Sequence, residues 1–339
     1  MDFSLFLSTY MPDSARGGKS VFNDMLEQAQ LAEDLGFASI TLPHHHLINI
    51  LMNPAPLATA VKIASVTKHI PIITSVLALP LLDMRQLAGE IAVTDILTDG
   101  RIEIGVGRGA FPYEFDRLGV DFSKSREIFD ESLNVLIALL TSDEEVSWDG
   151  DYYQFSSTKV QPRPIQDPMP PIWMAALFPE SVYHCAKRGF NIQTSPLKAE
   201  ASFLKELADA FHRGAKDAGK AGENSKLSML RGCFVCDDNA DVIQKQRLAY
   251  EYYERFSNAF ETDGEVINGE VSRKPMLQTE DEMAANLLIG TSSEVIDKLG
   301  IYAEAGIDDI NLNMDMGASH LEIMRSMEAL ARDIMPQFK

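Results

Sequence analysis

The chain has 339 residues, of which 45% are hydrophobic, enough for one large globular domain or two of ordinary size. Its net charge of −20 argues against nucleic acid or an anionic membrane as a partner, because both require a basic surface, but a local cationic pocket can still hold a small anion. No apolar run reaches the roughly 18 residues of a membrane span, and the N-terminus lacks the basic region and cleavage site of a signal peptide, so we expect a cytoplasmic protein.

The pattern along the chain alternates strands and helices. Short apolar runs predict eight strands, at 3–7, 38–42, 70–79, 102–106, 171–176, 191–194, 226–236 and 309–313. Segments with a 3.6-residue period predict helices at 21–35, 56–66, 85–97, 126–140, 179–188, 199–218, 240–259, 293–305 and 320–335. Outside this repeat we expect a hairpin from 148–155 and 158–160, a proline-rich linker at 162–171, and a mobile insertion at about 261–285 whose segment 261–280 is loop.

Eight strands that alternate with helices predict a (β/α)8 TIM-like barrel, with residues 1–339 forming a single domain. A doubly wound open sheet in two domains is the alternative, but no composition break or second linker marks a boundary. In a barrel the functional groups lie on the loops at the carboxyl ends of the strands. These loops are therefore where we look for a site.

The fourth predicted strand runs into a glycine-rich loop, Gly105-Val-Gly-Arg-Gly109. Glycines let the backbone approach a ligand closely, and Arg108 offers a planar set of donors suited to a phosphate. The spacing G-x-G-x-G differs from the dinucleotide-binding G-x-G-x-x-G, and a barrel strand that binds no ligand remains an alternative.

Three histidines, His44, His45 and His46, follow the second predicted strand, where imidazole can exchange protons near neutral pH. A metal site is less favoured, since few carboxylate or further histidine ligands lie at other strand ends. The pair Cys233 and Cys236 stands without a second cysteine pair in a predicted strand, which favours core packing over zinc or redox chemistry.

Cationic and aromatic side chains complete the set of strand-end groups. Arg108 and Arg126 supply two positive charges, and the run 176–181 leads into a helix N-terminus that can bind an anion. Phe111, Tyr113 and Phe178 could cover a flat ring system. Together these groups predict a phosphate-tailed aromatic cofactor over the mouth of the barrel.

The chain resembles the bacterial luciferase-like family of flavin-dependent monooxygenases nearly from end to end. The motifs that carry the resemblance are Leu42-Pro-His-His-His46, Asn53-Pro54, Leu79-Pro80, Gly100-Arg101, Gly105-Val-Gly-Arg-Gly109, Leu118-Gly-Val-Asp121, Ser125-Arg126-Glu127, Gly290-Thr291 and Met335-Pro336. The resemblance implies a barrel with an insertion after strand seven, FMN bound as FMNH2 at the mouth, O2 chemistry through a flavin C4a-hydroperoxide, and a separate flavin reductase. We also expect a homodimer.

The resemblance assigns roles to individual residues. It implies that Arg108, Arg126, Ala110, Ala176, Leu177, Phe178 and Ser181 bind the cofactor, the last four around the helix start. It implies that His45 is the catalytic histidine, with His44 in the place of the family's glutamate. It also implies that Ser75 and Val76 bind the cofactor beside the flavin ring and are joined by a cis peptide. Gly107 stands where luciferase has a reactive cysteine. We therefore expect a relative of luciferase that does not emit light and acts on a different substrate.

Three hypotheses remain from the sequence. The first is an FMNH2-dependent, two-component monooxygenase that oxidises a small apolar organic molecule such as an aldehyde or ketone. The second is a deazaflavin-dependent oxidoreductase of the same superfamily, which a larger cationic groove would favour and the acidity of this chain does not. The third is a non-catalytic flavin-binding subunit, against which the histidines and arginines argue.

Overall fold

The strands of the computed structural model, which describes residues 1–196 and 201–339, form a closed parallel barrel. The barrel strands are β1 (Asp2–Phe6), β2 (Ser39–Leu42), β3 (Ile72–Thr74), β4 (Ile102–Gly107), β5 (Ile172–Ala175), β6 (Asn191–Thr194), β7 (Leu227–Val235) and β8 (Asp309–Asn313). Each pairs with the next in this order, and β8 pairs with β1 to close the ring. The predicted TIM-like (β/α)8 fold is confirmed.

Helices surround the barrel. They are α1 (Gly18–Leu35), α2 (Pro56–Ala64), α3 (Met84–Leu97), α4 (Pro112–Leu118), α5 (Ser125–Thr141), α6 (Pro179–Lys187), α7 (Ala201–Asp217), α8 (Asn239–Ala259), α9 (Glu280–Asn286), α10 (Ser292–Ala305) and α11 (His320–Ala329). Residues 199–200 of the predicted helix 199–218 lie outside the described residues. The predicted closing helix continues beyond α11 as a π-helical turn, Leu330–Ile334, and a 3₁₀-helical turn, Met335–Phe338. No helix in the described ranges is long and apolar enough to cross a membrane.

The two faces of the barrel strands differ in chemistry. Side chains that face the helices are apolar, as packing against helices requires: Leu5, Ile40, Ile72, Ile104, Met174, Ile192, Met229 and Ile310. Side chains that face the barrel interior are mostly polar or small: Ser4, Ser39, Thr41, Glu103, Gly105, Gln193, Ser228, Asp309 and Asn311. The strands are therefore buried on both faces, although one face is apolar and the other largely polar.

The bottom of the interior contains a buried carboxyl group, that of Asp309. The hydroxyl of Ser4 donates to its Oδ1 at 2.7 Å, the hydroxyl of Ser228 donates to its Oδ2 at 2.5 Å, and Ser39 donates in turn to Ser4 at 2.8 Å. Burial raises the pKa of Asp309 to about 6, more than these hydrogen bonds lower it.

The small hairpin exists, but its predicted turn was wrong. Val146–Asp149 pairs with Gln154–Thr158, so the turn lies at 150–153 and not at Ser156 and Ser157. The cause is Glu131 on α5, whose carboxylate accepts the indole N–H of Trp148 at 3.1 Å and the backbone N–H groups of residues 151, 152 and 153 at 2.9–3.1 Å. A long-range carboxylate therefore sets the turn.

The insertion after β7 has more regular structure than the loop predicted for 261–280. It contains a short hairpin, Val266–Ile267 with Glu270–Val271, and α9 begins at Glu280. The side chain of Asn258 bonds the backbone of Glu265 and Ser272, and Asn49 in the loop after β2 accepts the N–H of Val271 at 3.0 Å. These contacts attach the insertion to the mouth of the barrel; its mobility stays a prediction. A short extra strand, Leu288–Gly290, pairs with the end of β7.

Candidate active site

The end of β4 forms a cradle of close backbone approaches. A Cβ added to Gly107 would lie 2.5 Å from Cγ2 of Val76 and 3.3 Å from Cβ of Ala175. Gly109 has φ +81°, which favours glycine, and an added Cβ there would lie 2.7 Å from the ring of Phe115. The glycines at these two positions are therefore required by their neighbours, whatever ligand the loop binds.

The strand next to this cradle, β3, is interrupted where the sequence predicted one continuous strand to residue 79. The peptide between Ser75 and Val76 is cis, as predicted, and a second short strand, Leu77–Ala78, then pairs with β4. Ser75 and Val76 are half-buried, and Ala175 at the end of β5 is exposed on the interior face. The residues at these three strand ends thus line one side of the mouth.

Two of the three histidines bond each other. The N–H of Ala78 donates to Nδ1 of His44 at 3.2 Å, and Nε2 of His44 lies 2.8 Å from Nε2 of His46. Since Nδ1 of His44 accepts, its proton is on Nε2 and His46 is the acceptor. Burial, with the neighbouring imidazoles of His46 and His45, lowers the pKa of His44 to about 3, so this ring is neutral at physiological pH. Burial also lowers the pKa of His46, an effect that the charge of Glu114 opposes.

The third histidine, His45, contacts a buried carboxylate instead. Its Nδ1 lies 2.9 Å from Oε2 of Glu114, whose other oxygen accepts the backbone N–H of His46. The side chain of Glu114 is only 2% exposed, whereas that of His45 is 18% exposed. His45 Nε2 has no hydrogen-bond partner in the described parts of the chain, and so remains available at the mouth.

Glu114 is the site residue that sequence reasoning missed. It lies in the first turn of α4, a seven-residue helix that the sequence reading did not predict because it is too short to show a period. The available signal was Pro112, which starts a helix well, followed two residues later by an acidic side chain in the first turn.

The two predicted arginines lie on either side of the start of α5. The guanidinium of Arg108 is exposed and lies 5.7 Å from the ring centre of Phe122, in the turn that leads into α5. Arg126 is the second residue of α5, is exposed, and lies 3.6 Å from Asp130, which is exposed as well. An exposed pair of this kind is weak, and Arg108 forms no ion pair among the described residues, so both cations can bind an anion.

The charge of Arg126 reaches Cys185 on α6, one turn after the predicted anion site at the start of that helix. Burial raises the pKa of Cys185, one turn after Ser181 on α6, and the charges of Arg188 and Arg126 oppose this. No side chain among the described residues caps this helix, which begins with Pro179. Ser181 is half-buried there, which agrees with the predicted position at the helix start.

The other residues predicted to bind the cofactor differ in exposure. Ala176 is buried and Ala110 is half-buried, so each can present only backbone or a methyl group. Leu177 and Phe178 are exposed at 45% and 66%, as expected of side chains that lie over a ligand or against a partner.

An aromatic wall, formed by Phe111, Phe256 and Phe260, lies beside His45. The ring of Phe111 stacks on the imidazole of His45 with centres 4.2 Å apart. Phe256 lies in α8 and Phe260 directly follows that helix. Both rings meet the ring of Phe111 edge-on, with centres 5.9 Å away for Phe256 and 4.9 Å away for Phe260. Phe260 is 42% exposed, so the wall offers an apolar face to a ligand near His45.

The described residues contain no group of three histidine, cysteine or acidic side chains placed to hold a metal ion. Cys233 and Cys236 are buried, and burial raises the pKa of Cys236 to about 12, so these thiols are not poised for redox chemistry.

Comparison with known proteins defines the class. The family model for luciferase-like monooxygenases matches residues 1–309. The oxygenase component of a flavin-dependent trigonelline monooxygenase from Acinetobacter baylyi is 30% identical, and the match covers 100% of this chain and 96% of that protein. The chain therefore belongs to the luciferase-like monooxygenase family and is an oxidoreductase of that class.

Solved structures share the fold. The monooxygenase RslO1 from Streptomyces bottropensis superposes with a TM-score of 0.87 at 24% identity, over 100% of both chains. An F420-dependent secondary alcohol dehydrogenase, solved with an F420–acetone adduct, has a TM-score of 0.76 at 20% identity, over 100% of this chain and 99% of its own. Since both types of enzyme have this barrel, the fold alone does not choose the cofactor.

Proposed function

We propose that the chain is the oxygenase component of a two-component monooxygenase, which receives FMNH2 from a separate flavin reductase and uses O2 to oxidise a small apolar organic substrate. The observation that carries the proposal is the mouth of the barrel itself. There the glycine cradle and the exposed Arg108 follow β4, and His45, whose Nε2 has no partner among the described residues, follows β2, two strands away.

The described residues fit a flat ring with a phosphate tail. Arg108, Arg126 and the uncapped start of α6 at Ser181 supply positive charge and donors for a phosphate. The close packing of Gly107 against Val76 supports a flat ring resting on the ends of β3 and β4. When bound, reduced FMN would supply the electrons that activate O2.

His45 is the residue we assign to proton transfer. Its Nε2 has no partner among the described residues and is not among their buried unpartnered atoms, so it can accept a proton from substrate or return one. We assign His44 a positioning role instead, since both of its nitrogens are engaged and its pKa is far below neutral.

The aromatic wall supports a substrate with a flat apolar part. Phe111 is fully buried under His45, and Phe260 is partly exposed, so a ring or short chain next to His45 would replace solvent on the Phe260 face.

A homodimer is the assembly we propose. Val93, Ile96 and Leu97 lie at i, i+3 and i+4 on α3 and are 42%, 37% and 56% exposed, so they form one apolar stripe. A second copy of the chain would cover this stripe by the same surface. Sedimentation equilibrium should give twice the mass of one chain, and Ile96→Glu should shift it to monomer; a monomeric wild type at micromolar concentration would contradict the dimer.

Isotope incorporation tests the function directly. The purified chain, supplied with FMN, NADH and a general flavin reductase under 18O2, should transfer one labelled oxygen atom to a member of a panel of aromatic compounds, ketones and aldehydes. Mass spectrometry of the products provides the measurement, with His45→Ala as the control. Reduction or dehydrogenation without label, with a deazaflavin in place of FMN, would instead establish the second candidate, an F420-type oxidoreductase.

A further inference from the structure

We infer that Glu114 is a positioning residue that fixes the proton of His45 on Nδ1 and so keeps Nε2 unprotonated toward the mouth. The inference rests on the proposed function of His45 and adds the group that makes its free nitrogen a base. The observation is the pair of hydrogen bonds that Glu114 receives, both from the segment after β2.

The chemistry of a carboxylate determines the direction of the first bond. A carboxylate only accepts, so the 2.9 Å contact between Oε2 of Glu114 and Nδ1 of His45 places the proton on Nδ1. The neutral ring then carries a lone pair on Nε2, which is the form that can remove a proton. When Nε2 takes up that proton, the buried charge of Glu114 stabilises the resulting imidazolium.

Because of the second bond, an amide at this position could not keep the proton of His45 on Nδ1. Oε1 accepts a hydrogen bond from the backbone N–H of His46, a group that can donate but cannot accept. In Glu114→Gln the amide oxygen must therefore face that N–H, which leaves the NH2 group facing Nδ1 of His45. The NH2 group only donates, so Nδ1 must become the acceptor and the proton moves to Nε2.

Glu114 lies between the loop that carries Arg108 and the histidine segment after β2. It lies on α4, which begins directly after the loop that carries Arg108, and it is buried under the histidine segment. In the described residues its ion-pair partner is His45 and no lysine or arginine. Since its one ion pair is with this imidazole, the buried carboxylate is better explained by its effect on His45 than by a contribution to the stability of the fold.

Histidine tautomers can be read by long-range 15N–1H correlation spectra of the resting protein without flavin or substrate. The chain has seven histidines, and His45→Gln identifies the signal of His45. In the wild type this signal should show protonated Nδ1 and unprotonated Nε2; in Glu114→Gln the two should exchange roles. Asp116→Asn is the matched control, because Asp116 lies on the same helix, is exposed, and contacts the exposed Arg117.

Turnover gives the second readout. Glu114→Gln should lower the rate of product formation by at least about 100-fold, as loss of a general base does, while FMNH2 affinity stays within about twofold. Asp116→Asn should match the wild type in both.

The outcomes separate this inference from the proposed function. A wild-type His45 protonated on Nε2, or an unchanged tautomer and rate in Glu114→Gln, overturns the role of Glu114. The wild-type tautomer decides the matter even if Glu114→Gln fails to fold. An absence of oxygen transfer with the expected tautomers would reject the proposed function and leave the positioning of His45 standing.

Discussion

At the scale of single residues, His45 is the group whose loss should separate binding from chemistry. His45→Ala should bind FMNH2 within about twofold of the wild type, since the cations assigned to the phosphate lie elsewhere. Turnover should fall by about 10²–10⁴-fold, the usual contribution of a general acid or base. Anaerobic titration and product assays measure the two effects, and His69→Ala, at an exposed histidine, is the control. Normal turnover in His45→Ala would move the catalytic assignment to His44 or His46.

Arg108 should have the opposite profile. Arg108→Ala removes a charged donor to the phosphate, worth about 1.5–3 kcal/mol, so FMN affinity should fall by roughly ten- to hundred-fold. Riboflavin, which lacks the phosphate, should bind the variant and the wild type alike. Arg117→Ala removes an exposed arginine that pairs with Asp116 and provides the matched control. Unchanged FMN affinity in Arg108→Ala would remove Arg108 from the site.

Single residues show what a local reading of the sequence can and cannot find. Three adjacent histidines, and an arginine between glycines, stand out because such groups at strand ends have few structural roles. The sequence could not distinguish the histidines from one another, because their difference comes from Ala78 and Glu114, which are distant along the chain. In the sequence Glu114 cannot be distinguished from an ordinary exposed glutamate in the first turn of a helix, because its burial depends on the tertiary fold.

At the scale of elements, the contact between β3 and β4 requires glycine at position 107. Gly107→Ala would bring its Cβ to 2.5 Å from Val76, a short and stiff side chain, so the two strand ends must separate. We expect a loss of about 1–3 kcal/mol in the free energy of unfolding, typical of overpacking, and weaker flavin binding.

Urea denaturation measures this effect, and Gly89→Ala is its counterpart. Gly89 lies inside α3, and a Cβ there would meet no atom of the described chain within 4 Å. Alanine at this position should therefore stabilise the chain by up to about 1 kcal/mol, through helix propensity. Equal stability of Gly107→Ala and the wild type would show that the strand ends can adapt, and that the cradle is looser than described.

Elements were predictable where burial is periodic or continuous. The strands β6 and β8 match their predicted bounds because each is a short segment that mixes polar and apolar residues, Asn-Ile-Gln-Thr and Asp-Ile-Asn-Leu-Asn, and closely follows a helix-ending glycine. The hairpin turn and α4 could not be placed, since the first is set by Glu131 from another element and the second is too short for a period.

At the scale of the whole molecule, Asp309 links the barrel interior to pH. Its pKa is raised to about 6 from 3.8, so the folded chain binds this proton more tightly than the unfolded chain does. The stabilisation is full below pH 3.8 and is lost as the pH rises through about 6; at 1.36 kcal/mol per unit, it amounts to about 3 kcal/mol.

Asp309→Asn should remove this dependence. The amide keeps partners in Ser4 and Ser228 but carries no charge, so the variant should be more stable than the wild type at pH 7 and the difference should shrink toward pH 4. Urea unfolding at both pH values measures it. A variant that is less stable at pH 7 would show that the ionised carboxylate contributes to the barrel.

The barrel could be predicted because alternation of strand and helix over the whole chain leaves few arrangements. The polar interior could not, since the alternation of β2 and β8, Ser-Ile-Thr-Leu and Asp-Ile-Asn-Leu-Asn, is typical of strands whose polar face meets solvent, whereas here that face is buried inside the barrel. The cofactor could not be predicted from the fold either, because a monooxygenase and an F420-dependent dehydrogenase share this barrel.

The proposed use of FMNH2 is tested most simply by an anaerobic equilibrium titration of the chain with FMNH2 and with reduced F420, followed by fluorescence. We predict saturable binding of FMNH2 that Arg108→Ala weakens, and much weaker binding of reduced F420. Tighter binding of reduced F420 than of FMNH2, or binding of FMNH2 that is indifferent to Arg108, would contradict it.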